Sequence, residues 1–237
     1  MASVSCIIIY TLLLVSVCLA LAKNTTNSSS SSSSSLESES EREALVRTGW
    51  WTAWWGNQIS KEKHCSWSGI GCSEEGRVVS IDVRRYTIED ELGKLNFSSF
   101  PYLQTLHLSY CKLNGSIPYQ IGMLSKLNYL SLHRNDLCGT LPSSLGNLTY
   151  LEHLDVSWNH LTGFIPSELG NLTNLAYLYL SENNLTGSIP SDIGTLSNLI
   201  ELYLDNNRLT GTIPSALGSL INLSKPWTLV LINLVAL

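Results

Sequence analysis

Residues 151–174 read LEHLDVSWNHLTGFIPSELGNLTN and residues 175–198 read LAYLYLSENNLTGSIPSDIGTLSN. Overlaid, Leu151, Leu154, Val156, Asn159, Leu161, Gly163, Ile165, Pro166, Leu169, Gly170 and Leu172 return as Leu175, Leu178, Leu180, Asn183, Leu185, Gly187, Ile189, Pro190, Ile193, Gly194 and Leu196. The frame runs on in both directions, with Leu103, Leu127, Leu151, Leu175, Leu199 and Leu223 spaced by 24. Self-similarity at such a period marks a solenoid, whose units bury their apolar faces only by stacking on one another. The L-x-L step alternates inward apolar with outward variable residues, as a short strand does. One such strand per coil builds a parallel sheet along one side. Asn135, Asn159, Asn183 and Asn207 stand where the chain leaves that strand. An inward amide there both donates and accepts, satisfying backbone groups that the turn would otherwise bury unpaired. Gly163 and its equivalents permit backbone geometry closed to other residues, and Pro166 and its equivalents end the sheet on that side. These positions are scaffold.

Working outward, the frame loosens. Cys111 occupies the ladder position of the first full unit, where Asn is expected. Cys138 lies three residues past the next ladder position, Asn135, an offset too large for a bridge to Cys111, so both are read as free thiols. An earlier, degenerate unit starts at Val78 with Ile81 and Val83 as its strand core, and its loop from Arg84 to Tyr102 lacks the Asn and Gly-x-Ile-Pro signals.

Terminal coils need covers. Ser40-Glu41-Arg42-Glu43 reads as a capping box opening a helix through Ala44, Leu45 and Val46 towards Trp54. Trp50, Trp51, Trp54 and Trp55 contain i, i+4 pairs whose rings are expected on the first coil, with an exposed aromatic patch as the alternative. Cys65 and Cys72 flank a short loop beside His64; a metal would need further ligands, so a local disulfide is the better reading.

Upstream, an uncharged apolar run from Cys6 to Leu19 precedes Ala20-Leu21-Ala22, a small-x-small cleavage site. The run suits a signal peptide cut after Ala22 and is short of the ~20 residues a membrane helix needs. Met1–Ser5 carries no Lys or Arg, which leaves an uncleaved anchor as the alternative. A secreted chain puts its cysteines in an oxidising compartment. The boundaries expected are 1–22 signal peptide, 23–36 serine-rich disordered leader, 37–77 cap, 78–224 repeats and 225–237 apolar tail. The tail is too short to span a bilayer, so no span is expected in the mature chain. It reads as the end of a truncated gene model or splice form, with Thr228–Asn233 covering the last coil as an irregular strand.

The Glu-Arg-Glu-Ala-Leu helix start, the Cys65-to-Cys72 segment with Trp67 and Gly69, and the Asn-x-Leu-x-Gly-x-Ile-Pro repeats resemble the ectodomains of plant leucine-rich-repeat receptor-like kinases and receptor-like proteins. Gly49-Trp50-Trp51 and Phe97-Ser98-Ser99-Phe100-Pro101 resemble the male-discoverer-interacting receptor-like kinase group. The resemblance covers about residues 36 to 224. It implies an α/β leucine-rich-repeat solenoid with a disulfide-bonded helical cap, a second strand on the flank, and ligands bound along the concave side or edge. The chain carries no Val-Ala-Ile-Lys, His-Arg-Asp or Asp-Phe-Gly segment, so phosphoryl transfer is not assigned to it.

With 237 residues, 44% hydrophobic and 14% charged, and a net charge of −5, the chain suits a solenoid and offers no basic patch for nucleic acid. The variable strand positions form columns on the concave face. One holds Asp82, His107, Ser131, Asp155, Tyr179 and Tyr203, and the one before it Ser80, Thr105, Tyr129, His153, Tyr177 and Glu201. Following the strands come the pairs Arg84 and Arg85, Ser109 and Tyr110, His133 and Arg134, Ser157 and Trp158, Ser181 and Glu182, Asp205 and Asn206. The surface therefore grades from basic to acidic with aromatics between, and aromatics and Arg are favoured at binding hot spots. Ligand contacts are expected from Arg84, His107, Tyr110, His133, Arg134, Trp158, Tyr179, Glu182, Tyr203 and Asp205. Tyr179, Tyr203 and Trp158 are the expected anchors for a peptide or extracellular domain, with a co-receptor as a further partner. His107, His133 and His153 lie in different columns with no completed acid–base or metal set, so neither catalysis nor a cofactor is expected. Glycosylation is expected at Asn96, Asn114, Asn147, Asn171, Asn184 and Asn222, with further motifs at Asn24 and Asn27, none in the concave columns. The overall expectation is a secreted or cell-surface binding module, with a decoy or inhibitor of a cell-wall-degrading enzyme as the alternative.

Overall fold

A computed structural model describes residues 32–51 and 63–224 of the chain, with side chains from residue 37 onward. The signal segment, most of the leader, Trp54, Trp55 and the tail lie outside the described residues. Apart from the start of one helix, all that follows concerns the compact unit Glu37–Leu237.

Helix α1 spans Ser32–Thr48, followed by strands β1 (Ile70–Cys72), β2 (Val78–Asp82), β3 (Thr105–His107), β4 (Tyr129–Ser131) and β5 (His153–Asp155). Then come β6 (Thr162–Gly163), β7 (Tyr177–Tyr179), β8 (Asn184–Gly187), β9 (Glu201–Tyr203) and β10 (Arg208–Leu209). The main sheet has the order β1-β2-β3-β4-β5-β7-β9. It is parallel from β2 onward and antiparallel only where the cap strand β1 joins. Its register aligns Ile81, Leu106, Leu130, Leu154, Leu178 and Leu202, all buried. A one-residue slip would turn this whole row to solvent, so the 24-residue pattern also sets the pairing.

A second, three-stranded sheet of order β10-β8-β6 forms the flank, as the resemblance implies. The opposite side is made of 3₁₀ turns at Tyr119–Met123, Ser143–Asn147, Ser167–Asn171, Ser191–Thr195 and Ser215–Ser219. Each follows a proline, from Pro118 to Pro214, so the residue that ends the flank also starts the turn behind it. These turns stack backbone to backbone: a Cβ on Gly170 would lie 2.5 Å from the Asp192 carbonyl oxygen.

The ladder asparagines lie inside. Asn159 Oδ1 accepts from Leu137 N–H at 3.1 Å, and its amide donates to the Leu132 and Val156 carbonyls at 3.0 Å each. Asn135, Asn183 and Asn207 repeat the arrangement. A second amide ladder, unforeseen in the repeat reading, runs along the 3₁₀ side: Asn174, Asn198 and Asn222 donate to Thr149, Thr173 and Ser197 carbonyls.

The cap closes the N-terminal end of the same core, with Leu45, Trp50, Trp51 and Trp67 buried against the first coils. Cys65 and Cys72 are bonded to each other, their Cα atoms 5.6 Å apart. Cys111 and Cys138 are free, the first buried and the second exposed. The capping-box reading is corrected. The helix begins at Ser32, within the expected leader, so Ser40 lies inside it and Glu43 faces Arg47 at 3.6 Å. Ala44 and Leu45 are buried and anchor the helix on the core, and a helix held by such packing needs no cap at Ser40. Glu41 does other work. Fully buried, it accepts from Arg77 at 3.0–3.1 Å and from the Val78 N–H at 3.1 Å, tying α1 to the edge of β2. Burial pushes its carboxyl up, while the bonds from Arg77 and Val78 pull the other way. Glu37 pairs with the same guanidinium from outside.

Candidate ligand-binding face

Just past each parallel strand of the main sheet the backbone takes the same unusual step. Arg85, Tyr110, Arg134, Trp158, Glu182 and Asn206 all have φ between 51° and 62°. Non-glycine residues seldom adopt this left-handed conformation, and it persists where the surroundings over-determine it. The N–H groups of the first five donate to the next coil: Arg85 to Ser109, Tyr110 to His133, Arg134 to Ser157, Trp158 to Ser181 and Glu182 to Asp205, at 2.9–3.1 Å. The step turns the chain into the ladder position and leaves Arg85, Tyr110, Arg134 and Trp158 exposed along the rim of the concave face. These four stack: Arg85 and Arg134 lie 5.8 and 5.4 Å from the Tyr110 ring, and Arg134 lies 4.2 Å from the Trp158 ring. Farther along, Asn206 donates to Glu182 at 2.6 Å.

Across the strands themselves runs a continuous seam of rings. His107 meets Tyr129 at 5.3 Å, Tyr129 stacks on His153 at 4.3 Å, His153 reaches Tyr177 at 5.6 Å and Tyr179 at 5.4 Å, and Tyr179 meets Tyr203 at 5.0 Å. Parallel pairing at ~4.8 Å per strand puts the same column within ring-contact distance coil after coil. Tyr179 donates its hydroxyl to Glu201 at 2.6 Å; burial and then that carboxylate raise its pKa. Burial lowers the pKa of His107 and His153, keeping them neutral further below neutral pH than a free imidazole.

Between seam and rim, Ser157 donates to Asp155 at 2.5 Å and His133 Nδ1 lies 2.8 Å from Ser157 Oγ and 3.6 Å from Asp155. Burial alone would raise Asp155, but the His133 and Ser157 contacts outweigh it and hold the carboxyl below its ordinary value. Ser, His and Asp meet here in the wrong order for nucleophilic catalysis. The carboxylate takes the serine hydroxyl directly, and Ser157 is buried. Among the described residues, His64, Cys65 and Cys72 are close enough to share a metal, but the two sulfurs are spent in the disulfide.

The structure divides the expected contact residues between two lines. His107, Tyr179 and Tyr203 belong to the seam, whereas Tyr110, Arg134, Trp158 and Glu182 belong to the rim, so the three expected anchors are not one cluster. Arg84 is paired with Asp82 at 2.8 Å, and His133 is held by Asp155 and Ser157. Asp205 contributes a carboxylate 3.3 Å from Asn206. Arg85, Tyr129, His153, Asp155 and Tyr177 are equally central but were absent from the expected contact set. Their signal was present in the columns, and ring contacts between columns become visible only once strand spacing is known. Of the expected glycan acceptors, Asn96, Asn114, Asn147, Asn171 and Asn222 are exposed and Asn184 is half-buried in β8, all away from the seam.

The family described as Leucine-rich repeat region matches residues 80–229. A leucine-rich repeat receptor-like serine/threonine-protein kinase of Arabidopsis thaliana, RGI4, is 39% identical over 80 residues, 34% of this chain and 7% of that protein. The chain thus spans a small part of such a relative. Three solved structures are similar. A plant ice-binding protein superposes with a TM-score of 0.69 at 30% identity, over 76% of this chain and 59% of that one. The plant peptide hormone receptor RGFR1, solved with RGF2, gives 0.63 at 36% identity, over 67% and 24%. The Arabidopsis receptor kinase HAESA, solved with the peptide hormone IDA and the co-receptor SERK1, gives 0.62 at 28% identity, over 79% and 36%. No described helix is long and apolar enough to cross a membrane. Repeat, register, ladder and flank agree with the family match, and the chain belongs to the leucine-rich-repeat family, with the fold of a plant receptor ectodomain.

Proposed function

We propose that this chain is the ligand-binding part of a plant cell-surface receptor, secreted and glycosylated, and that a peptide or extracellular protein domain lies on its concave face, with a co-receptor as a further partner. The observation that carries this is the ring seam from His107 to Tyr203, which crosses five adjacent strands and has none of the glycan acceptors on it. Rings held on rigid strands lose little freedom when a ligand covers them, which favours their use as anchors. The similar receptors solved with peptide hormones support the same reading. The test is selection from a displayed library of random heptapeptides, followed by affinity measurement on variants. Tyr179→Ala and Tyr203→Ala are expected to lose about thirtyfold, near 2 kcal/mol, with Glu168→Ala on the 3₁₀ side unchanged. Equal losses in the control, or none in the tyrosine variants, would remove the concave face from the binding role.

A second reading is ice binding, favoured by the similar ice-binding protein and by Thr162, Thr186 and Thr210 recurring on the flank. The exposed Phe164 ring and the acceptor Asn184 interrupt that surface. Inhibition of ice recrystallisation, lost in Thr186→Tyr, would favour it.

A further inference from the structure

We propose that the N-terminal half of the concave face binds an acidic peptide segment on Arg85 and Arg134, and that its affinity rises as pH falls because His107 and His153 in the same rows become charged. This rests on the concave-face reading and names the chemistry of its occupant.

The first argument is uncompensated charge. Arg84 is paired with Asp82, but among the described residues neither Arg85 nor Arg134 has a carboxylate within ion-pair distance. Their partners are the faces of Tyr110 and Trp158. A guanidinium stacked on a ring keeps its in-plane N–H donors for an anion, in the fork geometry that suits a carboxylate. Glu182, Glu201 and Asp205 occupy the other end of the face. An anionic segment is thereby confined to the rows of β2 to β5, three strand spacings or ~14 Å, the length of about four extended residues.

The second argument is the histidine cluster in those rows. His107 on β3 faces Asp82 at 3.9 Å, with Tyr129 against its ring and Arg84, His153 and Asp155 in its field. His133 faces Asp155, Ser157 and the Tyr110 ring. His153 on β5 lies against Tyr129, Tyr177 and Tyr179, in the field of Asp155 and Glu201. At neutral pH His107 and His153 are uncharged, because burial lowers their pKa. Because both are lowered from an imidazole's ordinary value, about 6.5, they take up protons only on the acid side of it, and when they do they add positive charge to this half while Asp155, held low, stays ionised. A bound carboxylate stabilises the imidazolium forms, so binding and proton uptake are linked. Peptide, not an acidic polysaccharide, is favoured by the peptide hormones solved with similar receptors.

The probe is an end-blocked tetra-aspartate peptide, titrated calorimetrically into the full chain at pH 7.5 and 5.5, where its carboxylates stay ionised. Tetra-lysine and a tetragalacturonate of equal charge are the comparison ligands. Expected are a roughly tenfold gain in tetra-aspartate affinity at the lower pH, and proton uptake seen in buffers of different ionisation enthalpy. Arg85→Gln/Arg134→Gln should lose about tenfold or more at both pH values. His107→Gln/His153→Gln should abolish the pH dependence. A pH-independent affinity, equal binding of tetra-lysine, or tighter binding of the galacturonate would each overturn the proposal. Tyr179-dependent library peptides without acidic enrichment would sink this inference while leaving the concave-face reading standing. Loss of Tyr179 dependence throughout would sink the concave-face reading.

Discussion

At the ladder position of its first full coil the chain has Cys111, and its surroundings explain why a thiol suffices there. The Ile88 and Glu89 N–H groups of the preceding irregular loop donate to the Cys111 carbonyl, so they need no side-chain acceptor. The thiol itself donates to the Val83 carbonyl at 2.7 Å, and Asn135 supplies the acceptor for the Cys111 N–H. Burial pushes this thiol up to about 12, whereas Cys138 stands exposed on the flank. Thiolates, not thiols, react. A maleimide at neutral pH is therefore expected to label Cys138 promptly and Cys111 only after unfolding, as read by peptide mapping. Prompt labelling of Cys111 in the folded protein would contradict the buried ladder position. That Cys111 is unpaired with Cys138 was legible from their offset along the coil. Its partner carbonyl was not, because Val83 lies 28 positions away in an irregular unit.

Among the elements, helix α1 shows how much of a cap escapes local patterning. Its apolar residues and tryptophans were legible, but Glu41 looked like one more surface acid in Ser-Glu-Arg-Glu. Folding places it beneath Arg77, 36 positions on, where carboxylate and guanidinium are both buried. Removing one partner of such a pair strands the other charge, which is costlier than never having had the pair. Glu41→Ala is expected to lose about 3 kcal/mol, measured by denaturant unfolding, while Glu43→Ala on the exposed side stays within about 0.5 kcal/mol. Replacing the pair together, Glu41→Leu with Arg77→Met, is expected to recover most of the loss. Equal destabilisation by Glu41→Ala and Glu43→Ala would show that the buried pair does not hold the cap.

For the whole molecule, the sugars expected at each acceptor follow from which side of its coil that acceptor occupies. Asn147 and Asn171 close equivalent 3₁₀ turns one coil apart and are exposed, while Asn222 already donates its amide to Ser197 at 2.8 Å. On secretion from a plant or insect cell, mass spectrometry is expected to find Asn147 and Asn171 glycosylated more fully than Asn222 and Asn184. Higher occupancy at Asn222 would show that its amide bond opens readily.

The 24-residue period by itself determined the solenoid, its buried leucine rows, the asparagine ladder and the columns that face outward. Each is a consequence of residue type at fixed spacing, because every coil repeats the environment of the last. The Cys65–Cys72 pair was equally legible, since a short loop limits its partners. Tertiary structure alone decided how the columns interact: the ring seam, the stacking of Arg85, Tyr110, Arg134 and Trp158, the Asp155–Ser157–His133 contacts and the lock between Glu41 and Arg77. Each of these includes a contact between residues more than twenty positions apart or depends on a left-handed step that side-chain identity does not encode. The repeat dictates where a side chain emerges, whereas its partner across the coil depends on strand spacing and rotamer, which exist only once the coils are stacked.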